Sequence, residues 1–279
     1  MQTKKAYFFL ILISLSISIL LKAQTKADGK LGMVKGVTAH RGNSVAFPEN
    51  TLEAFQGGID AHADWVELDI HKTKDGQIVV SHDKNTKRAS GIDLDIASST
   101  YKELLKVDVA TEFRKKNNLS LEQCPPKQIP LLRDAIKLIL KEKKARLSIQ
   151  PKMDCVAEAI AIVKELHAES MVGFNDANLV LMSKVKLLAP KIPVFWDRPA
   201  TADIDADIKT AKEKGFESMV MHYSTITSEK INKIKAAGIH TGAWTVDDPT
   251  IMQDLLKLGI ERIYTNNPKL LIELKKGRI

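Results

Sequence analysis

The sequence predicts a single (β/α)8 barrel, in which eight parallel strands close into a ring and a helix follows each strand. Short β-branched runs alternate with longer helical patterns from residue 34 to the end of the chain. Eight such units in about 250 residues match the usual size of this fold. No Gly-rich or Ser-rich linker divides the chain, so one domain is expected. The alternative is an open doubly wound sheet, but no strand candidate leads into a glycine-rich phosphate loop.

The individual elements follow from hydrophobic periodicity and from the residues that start and stop helices. Strand candidates begin near residues 34, 65, 146, 171, 193, 218, 240 and 261, and helical patterns occupy residues 51–62, 131–143, 154–167, 177–188, 208–214, 228–237, 249–258 and the segment from Pro268. Asp75-Gly76 predicts a tight turn, so residues 78–81 return as an antiparallel strand. The polar residues 83–127 interrupt the alternation. They predict a small insertion after the second barrel strand, with one short helix near residues 101–105.

An apolar N-terminal segment predicts export. Lys4 and Lys5 precede an apolar run over residues 6–21, and Ala23 offers a small residue at a cleavage point. This arrangement is typical of a secretory signal peptide, here residues 1–23, followed by a domain of residues 24–279. The alternative is an uncleaved anchor, which the short run disfavours because crossing a bilayer takes about 20 residues. We expect a periplasmic or secreted protein with no stable membrane span after cleavage.

Charge and composition restrict the partners. The formal net charge of +8 falls to +5 when the three lysines of the signal segment are removed, which suits a small anionic substrate. No zinc-finger pattern, aromatic RNA-binding motif or arginine stripe is present, so no nucleic acid is expected to bind. Cys124 and Cys155 could pair in an exported protein. They lack C-x-x-C spacing, and we favour two free thiols.

Polar side chains cluster at the predicted carboxyl ends of the strands, where barrel enzymes carry their catalytic groups. Glu67 and Asp69 lie two residues apart on one strand and point to the same face. Neighbouring carboxylates repel each other unless a cation lies between them, and oxygen ligands of this kind suit Ca²⁺ or Mg²⁺. The alternative is a structural ion network with Lys152 or Arg41.

Two histidines accompany these acids. His40 and His82 both follow β-branched runs, which suits an acid and a base that move protons. Arg41 offers a planar fork of donors for phosphate oxygens, with simple pairing to Glu49 as the alternative. Lys152 adds a point charge for the same phosphate, with an exposed surface lysine as the alternative.

Five short motifs resemble those of the glycerophosphodiester phosphodiesterase family. They occur in order as His40-Arg41-Gly42, Pro48-Glu49-Asn50-Thr51, Glu67-Leu68-Asp69, Thr73-Lys74-Asp75-Gly76 and His82-Asp83. Weaker similarities follow at residues 129–131, 244–246, 259–260 and 264–268. The resemblance implies a TIM barrel and a metal-dependent enzyme that hydrolyses glycerophosphodiesters to glycerol 3-phosphate and an alcohol. Alternatives are a phospholipase-like phosphodiesterase on the same barrel and a non-catalytic phosphate-ester binder.

The resemblance also implies a role for each site residue. It implies acid–base catalysis by His40 and His82, phosphate binding by Arg41 and Lys152, binding of one divalent cation by Glu67, Asp69 and Gln150, and lining of the glycerol or leaving-group side by Trp244. Two positions depart from the family: Gln150 stands where a glutamate is usual, and Asn266 where an aspartate is usual. An amide oxygen coordinates a cation without adding negative charge, so we expect the affinity or the ion preference to differ.

Overall fold

The computed structural model describes residues 34–277 of the 279-residue chain. The chain divides into two units, residues 1–35 and residues 36–279, and the helices and strands described here belong to the second. The predicted signal peptide, residues 1–23, lies outside the described residues. Within residues 34–277, no helix has the length and apolar character needed to cross a membrane.

The described strands form one sheet of nine, and eight of them close into a parallel barrel. They are β1 (Gly36–Ala39), β2 (Trp65–Lys72), β3 (Ile78–Val80), β4 (Arg146–Pro151), β5 (Val172–Asp176), β6 (Val194–Arg198), β7 (Ser218–His222), β8 (His240–Trp244) and β9 (Arg262–Thr265). The ring runs β1-β9-β8-β7-β6-β5-β4-β2, and β2 pairs with β1 to close it. β3 pairs antiparallel with β2, as the turn signal predicts. The predicted (β/α)8 barrel is confirmed, and the open sheet is excluded.

Helices alternate with the strands. They are α1 (Leu52–Asp60), α2 (Lys87–Ser90), α3 (Tyr101–Leu104), α4 (Thr111–Asn117), α5 (Leu132–Glu142), α6 (Val156–Glu165), α7 (Leu179–Leu188), α8 (Ile204–Lys214), α9 (Ser228–Ala236), α10 (Pro249–Lys257) and α11 (Pro268–Lys275). The sequence predicted α8 only from residue 208. It begins four residues earlier because the Asp203 carboxylate accepts from the backbone N–H groups of Asp205 and Ala206 and so caps the first turn.

The polar segment of residues 83–127 contains α2, α3 and α4, whereas the sequence predicted one helix near residues 101–105. α2 and α4 are four and seven residues long, too short to show a helical hydrophobic period. Ile96 and Leu104 of this segment pack with Val79 and Ile129 in a small buried cluster. The segment is thereby attached to β3, the hairpin partner of β2.

Both cysteines are buried free thiols. Cys124 lies in the inserted segment, and Cys155 precedes the first residue of α6. Burial raises the pKa of Cys155 to about 12, so its thiol stays protonated at neutral pH and is a poor nucleophile.

Side-chain alternation along the strands decides what fills the barrel. The Trp65 and Phe195 rings meet edge to face with centroids 5.0 Å apart, and the Arg262 guanidinium lies 3.7 Å from the Phe195 centroid. Their strands β2, β6 and β9 are not neighbours in the ring, so the three side chains meet inside the barrel near the amino ends of the strands. The next inward positions on β2 and β9 are Glu67 and Tyr264. The interior therefore changes from aromatic to polar toward the carboxyl ends.

Candidate active site

A cavity of about 290 Å³ opens at the carboxyl ends of the barrel strands. It is lined by His40, Arg41, Glu67, His82, Gln150, Lys152, Asn175, Asp176, Ala177, Asp197, Trp244, Thr245 and Tyr264. Seven of the eight predicted site residues are in this lining. The eighth, Asp69, is fully buried and pairs with two of the lining cations, Arg41 and Lys152. The volume suits a small molecule.

The turn after β1 brings His40 and Arg41 to this cavity. Arg41 has a φ of 57° and Gly42 a φ of 83°, both in the left-handed region. A Cβ atom at position 42 would lie 2.4 Å from the carbonyl carbon of Ala54, so only glycine fits there. The backbone N–H of Arg41 donates to Oε2 of Glu67 at 2.9 Å, which ties the turn to β2.

The His40 ring is oriented by a side-chain amide. Nδ1 of His40 lies 2.8 Å from Oδ1 of Asn266, while Nδ2 of Asn266 donates to Asp247 Oδ2 at 2.6 Å. Because Asn266 presents its oxygen to the ring, the proton of neutral His40 is assigned to Nδ1, and Nε2 is left as an acceptor. Burial, followed by the positive charge of Arg41, lowers the pKa of His40 to about 4. The imidazole is therefore neutral at pH 7.

The two carboxylates of β2 are in different electrostatic states. Burial, together with the negative charge of Asp69, raises the pKa of Glu67 to about 8. Burial also acts to raise the pKa of Asp69, but the charges of Lys152 and Arg41 outweigh it and hold that pKa below its usual range. Asp69 lies 2.9 Å from Nζ of Lys152, lies 3.4 Å from Nε of Arg41, and accepts from Nδ2 of Asn50 at 2.8 Å. The ion network considered as the alternative to a metal site is thus formed around Asp69.

The oxygen atoms around these carboxylates fit a hard divalent cation. Oε1 of Glu67 is buried and has no hydrogen-bond partner among the described residues. Lys152 Nζ lies between Asp69 and Oε1 of Gln150, to which it donates at 2.6 Å. Within residues 34–277, no group of three or more His, Cys, Asp and Glu side chains is arranged to hold a metal ion. Gln150 offers an amide oxygen beside these carboxylates, which in this structure accepts from Lys152.

A chain of charged groups connects His82 to Arg41. Nδ1 of His82 lies 2.6 Å from Asp83 Oδ1, and Arg88 Nε donates to Asp83 Oδ2 at 2.6 Å. The same guanidinium donates to both oxygens of Glu49, at 2.6 and 3.1 Å. Glu49 in turn accepts from Nη1 of Arg41 at 3.1 Å. The predicted Arg41–Glu49 pair therefore exists, in addition to the contact of Arg41 with Asp69.

The opposite wall carries acids that sequence reasoning missed. Gln150 Nε2 donates to Asp176 at 3.1 Å and lies 3.4 Å from Asp197, which also accepts from Nδ2 of Asn175 at 3.2 Å. Burial, partly offset by the Asn175 hydrogen bond, raises the pKa of Asp197 to about 7. The carboxyl groups next to Gln150 are thus supplied by the next two strands, β5 and β6. Asp176 and Asp197 lie at the ends of the apolar strands β5 and β6, and this position in the sequence could have identified them as site residues.

Trp244 lies at the end of β8 on the rim of the cavity. Its indole packs edge-on against His222 with centroids 5.2 Å apart, and Nε1 has no hydrogen-bond partner among the described residues. The apolar face of this indole suits the carbon skeleton of a polar substrate.

Comparisons with known proteins show which proteins this chain is similar to in sequence and in fold. The sequence profile of the glycerophosphoryl diester phosphodiesterase family matches residues 40–270. A glycerophosphodiester phosphodiesterase from Caldanaerobacter subterraneus subsp. tengcongensis is 30% identical, over 86% of this chain and 98% of that protein. A human lysophospholipase D is 31% identical over 57% of this chain and 50% of its own length. An Oleispira antarctica phosphodiesterase solved with its product sn-glycerol-3-phosphate superposes with a TM-score of 0.75 at 25% identity, covering 86% of this chain and 96% of that one.

Proposed function

The chain belongs to the glycerophosphoryl diester phosphodiesterase family, and from this membership we propose that it hydrolyses glycerophosphodiesters to glycerol 3-phosphate and an alcohol. We include one divalent cation, Ca²⁺ or Mg²⁺, held by Glu67, Asp69 and Gln150. One observation carries the proposal: two histidines line the same cavity, and each is hydrogen-bonded to a different kind of partner. His40 is bound to a neutral amide, and His82 is bound to the Asp83 carboxylate.

Substrate binding is assigned to the cations of the cavity. Arg41 and Lys152 share Asp69 as a partner and line the wall next to both histidines. A diester phosphate placed against them exchanges one anionic partner for another, with charge-assisted hydrogen bonds to its oxygens. A bound divalent cation would add Lewis-acid stabilisation of the negative charge on those oxygens. Trp244 is placed against the glycerol or the leaving group.

The histidines divide the proton transfers. Nε2 of His40 is the acceptor for the proton of the nucleophile, because the ring is neutral at pH 7 and its Nδ1 proton is committed to Asn266. The nucleophile is water, or a glycerol hydroxyl of the substrate that forms a cyclic phosphodiester, which water then opens to glycerol phosphate. As the oxygen of the nucleophile bonds to phosphorus, the ester bond to the alcohol breaks. The alkoxide takes a proton from His82, whose Nδ1 is bonded to the Asp83 carboxylate.

Hydrolysis of lysophospholipids is a second candidate. The human relative is a lysophospholipase D, although the match covers only 57% of this chain. Two exposed apolar side chains, Val45 at 54% and Phe47 at 36% exposure, lie in the loop after β1. The backbone N–H of Val45 bonds to the carbonyl of Asn266, the partner of His40, so this loop borders the catalytic histidine. An acyl chain would find apolar surface there.

A substrate and metal panel tests both candidates. Glycerophosphocholine, glycerophosphoethanolamine and lysophosphatidylcholine are incubated with Ca²⁺, Mg²⁺ or chelator, and glycerol 3-phosphate and free alcohol are measured. We expect the two deacylated diesters to turn over with at least one ion and chelation to abolish turnover. Full activity in chelator contradicts the metal role, and preference for the lysolipid favours the second candidate. Binding of the diesters without turnover would identify a non-catalytic binder.

Two histidine variants test the assignment of chemistry within the same panel. His40→Ala and His82→Ala are each expected to lower kcat by a factor of about 100 or more, since general acid–base catalysis contributes about 10²- to 10⁴-fold. Activity that survives the double substitution would refute acid–base catalysis by this pair.

We further propose that the protein is exported and acts in a periplasm or outside the cell. The support is the arrangement of Lys4, Lys5, the apolar residues 6–21 and Ala23 at the N-terminus. N-terminal sequencing of the protein from its native cell envelope or medium tests this, with Gln24 expected as the first residue. Recovery of the protein only from cytoplasm with residues 1–23 retained would refute it.

A further inference from the structure

We infer that Arg88, in the inserted segment, is a positioning residue that holds His82 and Arg41 in one arrangement through Asp83 and Glu49. The inference rests on the proposed function, since it explains how the proton donor His82 and the phosphate-binding Arg41 keep a fixed relative position. Arg88 itself does not line the catalytic cavity, so its effect passes through the two carboxylates.

The donor geometry of Arg88 sets the distance between those carboxylates. Its Nε donates to Asp83, while Nη1 and Nη2 donate to the two oxygens of Glu49. A guanidinium group is planar and rigid, so groups bound along two of its edges have a fixed separation and angle. Asp83 bonds His82 through its other oxygen, Oδ1. Glu49 Oε1 accepts from both Arg88 Nη2 and Arg41 Nη1.

No other described side chain makes this connection. Glu49 lies in the loop after β1 and Asp83 in the loop after β3, and no hydrogen bond joins the two directly among the described residues. Without the guanidinium, two partly buried carboxylates would share this region and repel each other. Burial acts to raise the pKa of Glu49, but its hydrogen bonds to Arg88 and the charge of Arg41 hold that pKa below its usual range.

The backbone that carries Arg88 is itself fastened. Ser90 Oγ donates to the carbonyl of Thr86 at 2.8 Å, and Thr86 Oγ1 donates to the carbonyl of Ile92 at 2.5 Å. Gly91 caps the carboxyl end of α2 in the left-handed conformation, with a φ of 79°. The guanidinium is thus presented from a short, internally bonded turn. This gives the inserted segment a role in the site in addition to covering β3.

Exposed ion pairs contribute little to the free energy of unfolding. The Arg88 side chain is 50% exposed, whereas Glu49 and Asp83 are 27% and 29% exposed. One cation here satisfies two partly buried acids that are themselves bonded to site residues. The consequence is expected in catalysis and phosphate binding more than in the free energy of unfolding.

The experiment compares Arg88→Ala with Arg133→Ala in the full-length protein. Arg133 offers a matched control, because it makes a two-pronged pair with Glu165 at 2.7 and 2.6 Å and has no contact with the cavity. We expect kcat/KM of Arg88→Ala to fall about tenfold, the scale typical of residues that orient catalytic ligands. Arg133→Ala should stay within about twofold of the wild type, with similar unfolding midpoints for both variants.

Three further measurements separate positioning from a general structural effect. Arg88→Lys should recover little activity, because one ammonium group cannot serve both carboxylates in this geometry. Methylguanidinium should partly restore Arg88→Ala but not the lysine variant. The double variant Arg88→Ala/Asp83→Asn should lose less than the product of the single losses, since both changes break the same connection.

The results distinguish this inference from the proposed function. If the wild type hydrolyses diesters but Arg88→Ala matches Arg133→Ala, or the double variant is fully multiplicative, the positioning role is refuted and the function stands. If the wild type hydrolyses none of the diesters, the proposed function fails. The positioning role of Arg88 is then tested by measuring the affinity for inorganic phosphate. Phosphate affinity should still fall several-fold in Arg88→Ala and not in Arg133→Ala, because Arg41 loses its fixed partner; equal affinities would refute the inference.

Discussion

Replacing His40 with glutamine is expected to make the stability of the protein less sensitive to acid. The histidine is held neutral, with Nδ1 bonded to Asn266, and its pKa is lowered from 6.5 to about 4 by burial and by Arg41. In the unfolded chain the imidazole takes up a proton near its ordinary pKa. In the folded chain it resists protonation until about pH 4. The native state is therefore penalised as pH falls through this interval.

The sign and the size follow from proton linkage. Between pH 6.5 and about 4 the unfolded state binds more protons at this site than the folded state, so the stability contribution is complete above pH 6.5 and is lost as pH falls toward 4. A difference of one pKa unit corresponds to about 1.4 kcal/mol, so His40 accounts for a loss of about 3 kcal/mol over the interval. Partial opening of the site to water reduces this, and we expect about 2–3 kcal/mol.

Urea unfolding at several pH values from 7 to 4.5 measures the effect. The quantity of interest is the free energy of unfolding of His40→Gln minus that of the wild type, because other titrating groups cancel in the difference. We expect it to rise by about 2 kcal/mol as pH falls from 7 to 4.5. His62→Asn is the control, because it replaces an exposed histidine, in the loop between α1 and β2, that carries no burial penalty. A flat difference for His40→Gln would refute the assignment of a buried, neutral imidazole.

Two other substitutions test the same turn and its partner. Asn266→Asp places a carboxylate on Nδ1 of His40 and should raise the pKa of that histidine by about 1–3 units, since an adjacent opposite charge favours the imidazolium. The acidic limb of the kcat/KM–pH profile should move upward accordingly, and an unchanged limb would contradict His40 as the base. Gly42→Ala should destabilise the fold by about 3 kcal/mol or more, because its Cβ would lie 2.4 Å from the carbonyl carbon of Ala54 at a φ of 83°. Gly76→Ala is the control: its φ is similar at 78° but nothing lies within 4 Å of the new Cβ, so urea unfolding should show a loss of about 1 kcal/mol, and equal losses for the two would refute the steric argument.

The barrel and the first half of the site could be predicted because their signals are local. Strand and helix periods and the cap and turn residues show the eight units within short windows. Glu67 and Asp69 share a face through strand alternation alone, and His40 and His82 are marked by short motifs around them. The rule that barrel sites gather at the carboxyl ends of strands then places these four residues together.

The residues that were missed depend on contacts between distant parts of the chain. Asp197 faces the cavity from β6, but its effect depends on Gln150 and Asn175 of neighbouring strands. Arg88 belongs to a polar insertion whose composition is that of an ordinary surface segment. Only its approach to Glu49 and Asp83 distinguishes it from the other arginines. Sequence distance conceals such partners because nothing in the local pattern depends on them.

Residue types and their periodicity were thus sufficient for the closed barrel and for the presence of two histidines beside two carboxylates. The tertiary structure decided their states: His40 neutral against Asn266, Glu67 with a pKa raised to about 8, and Asp69 held ionised by two cations. The physical reason is that a protonation state depends on burial and on the charges within a few ångströms, and both are set by packing between segments that the sequence separates.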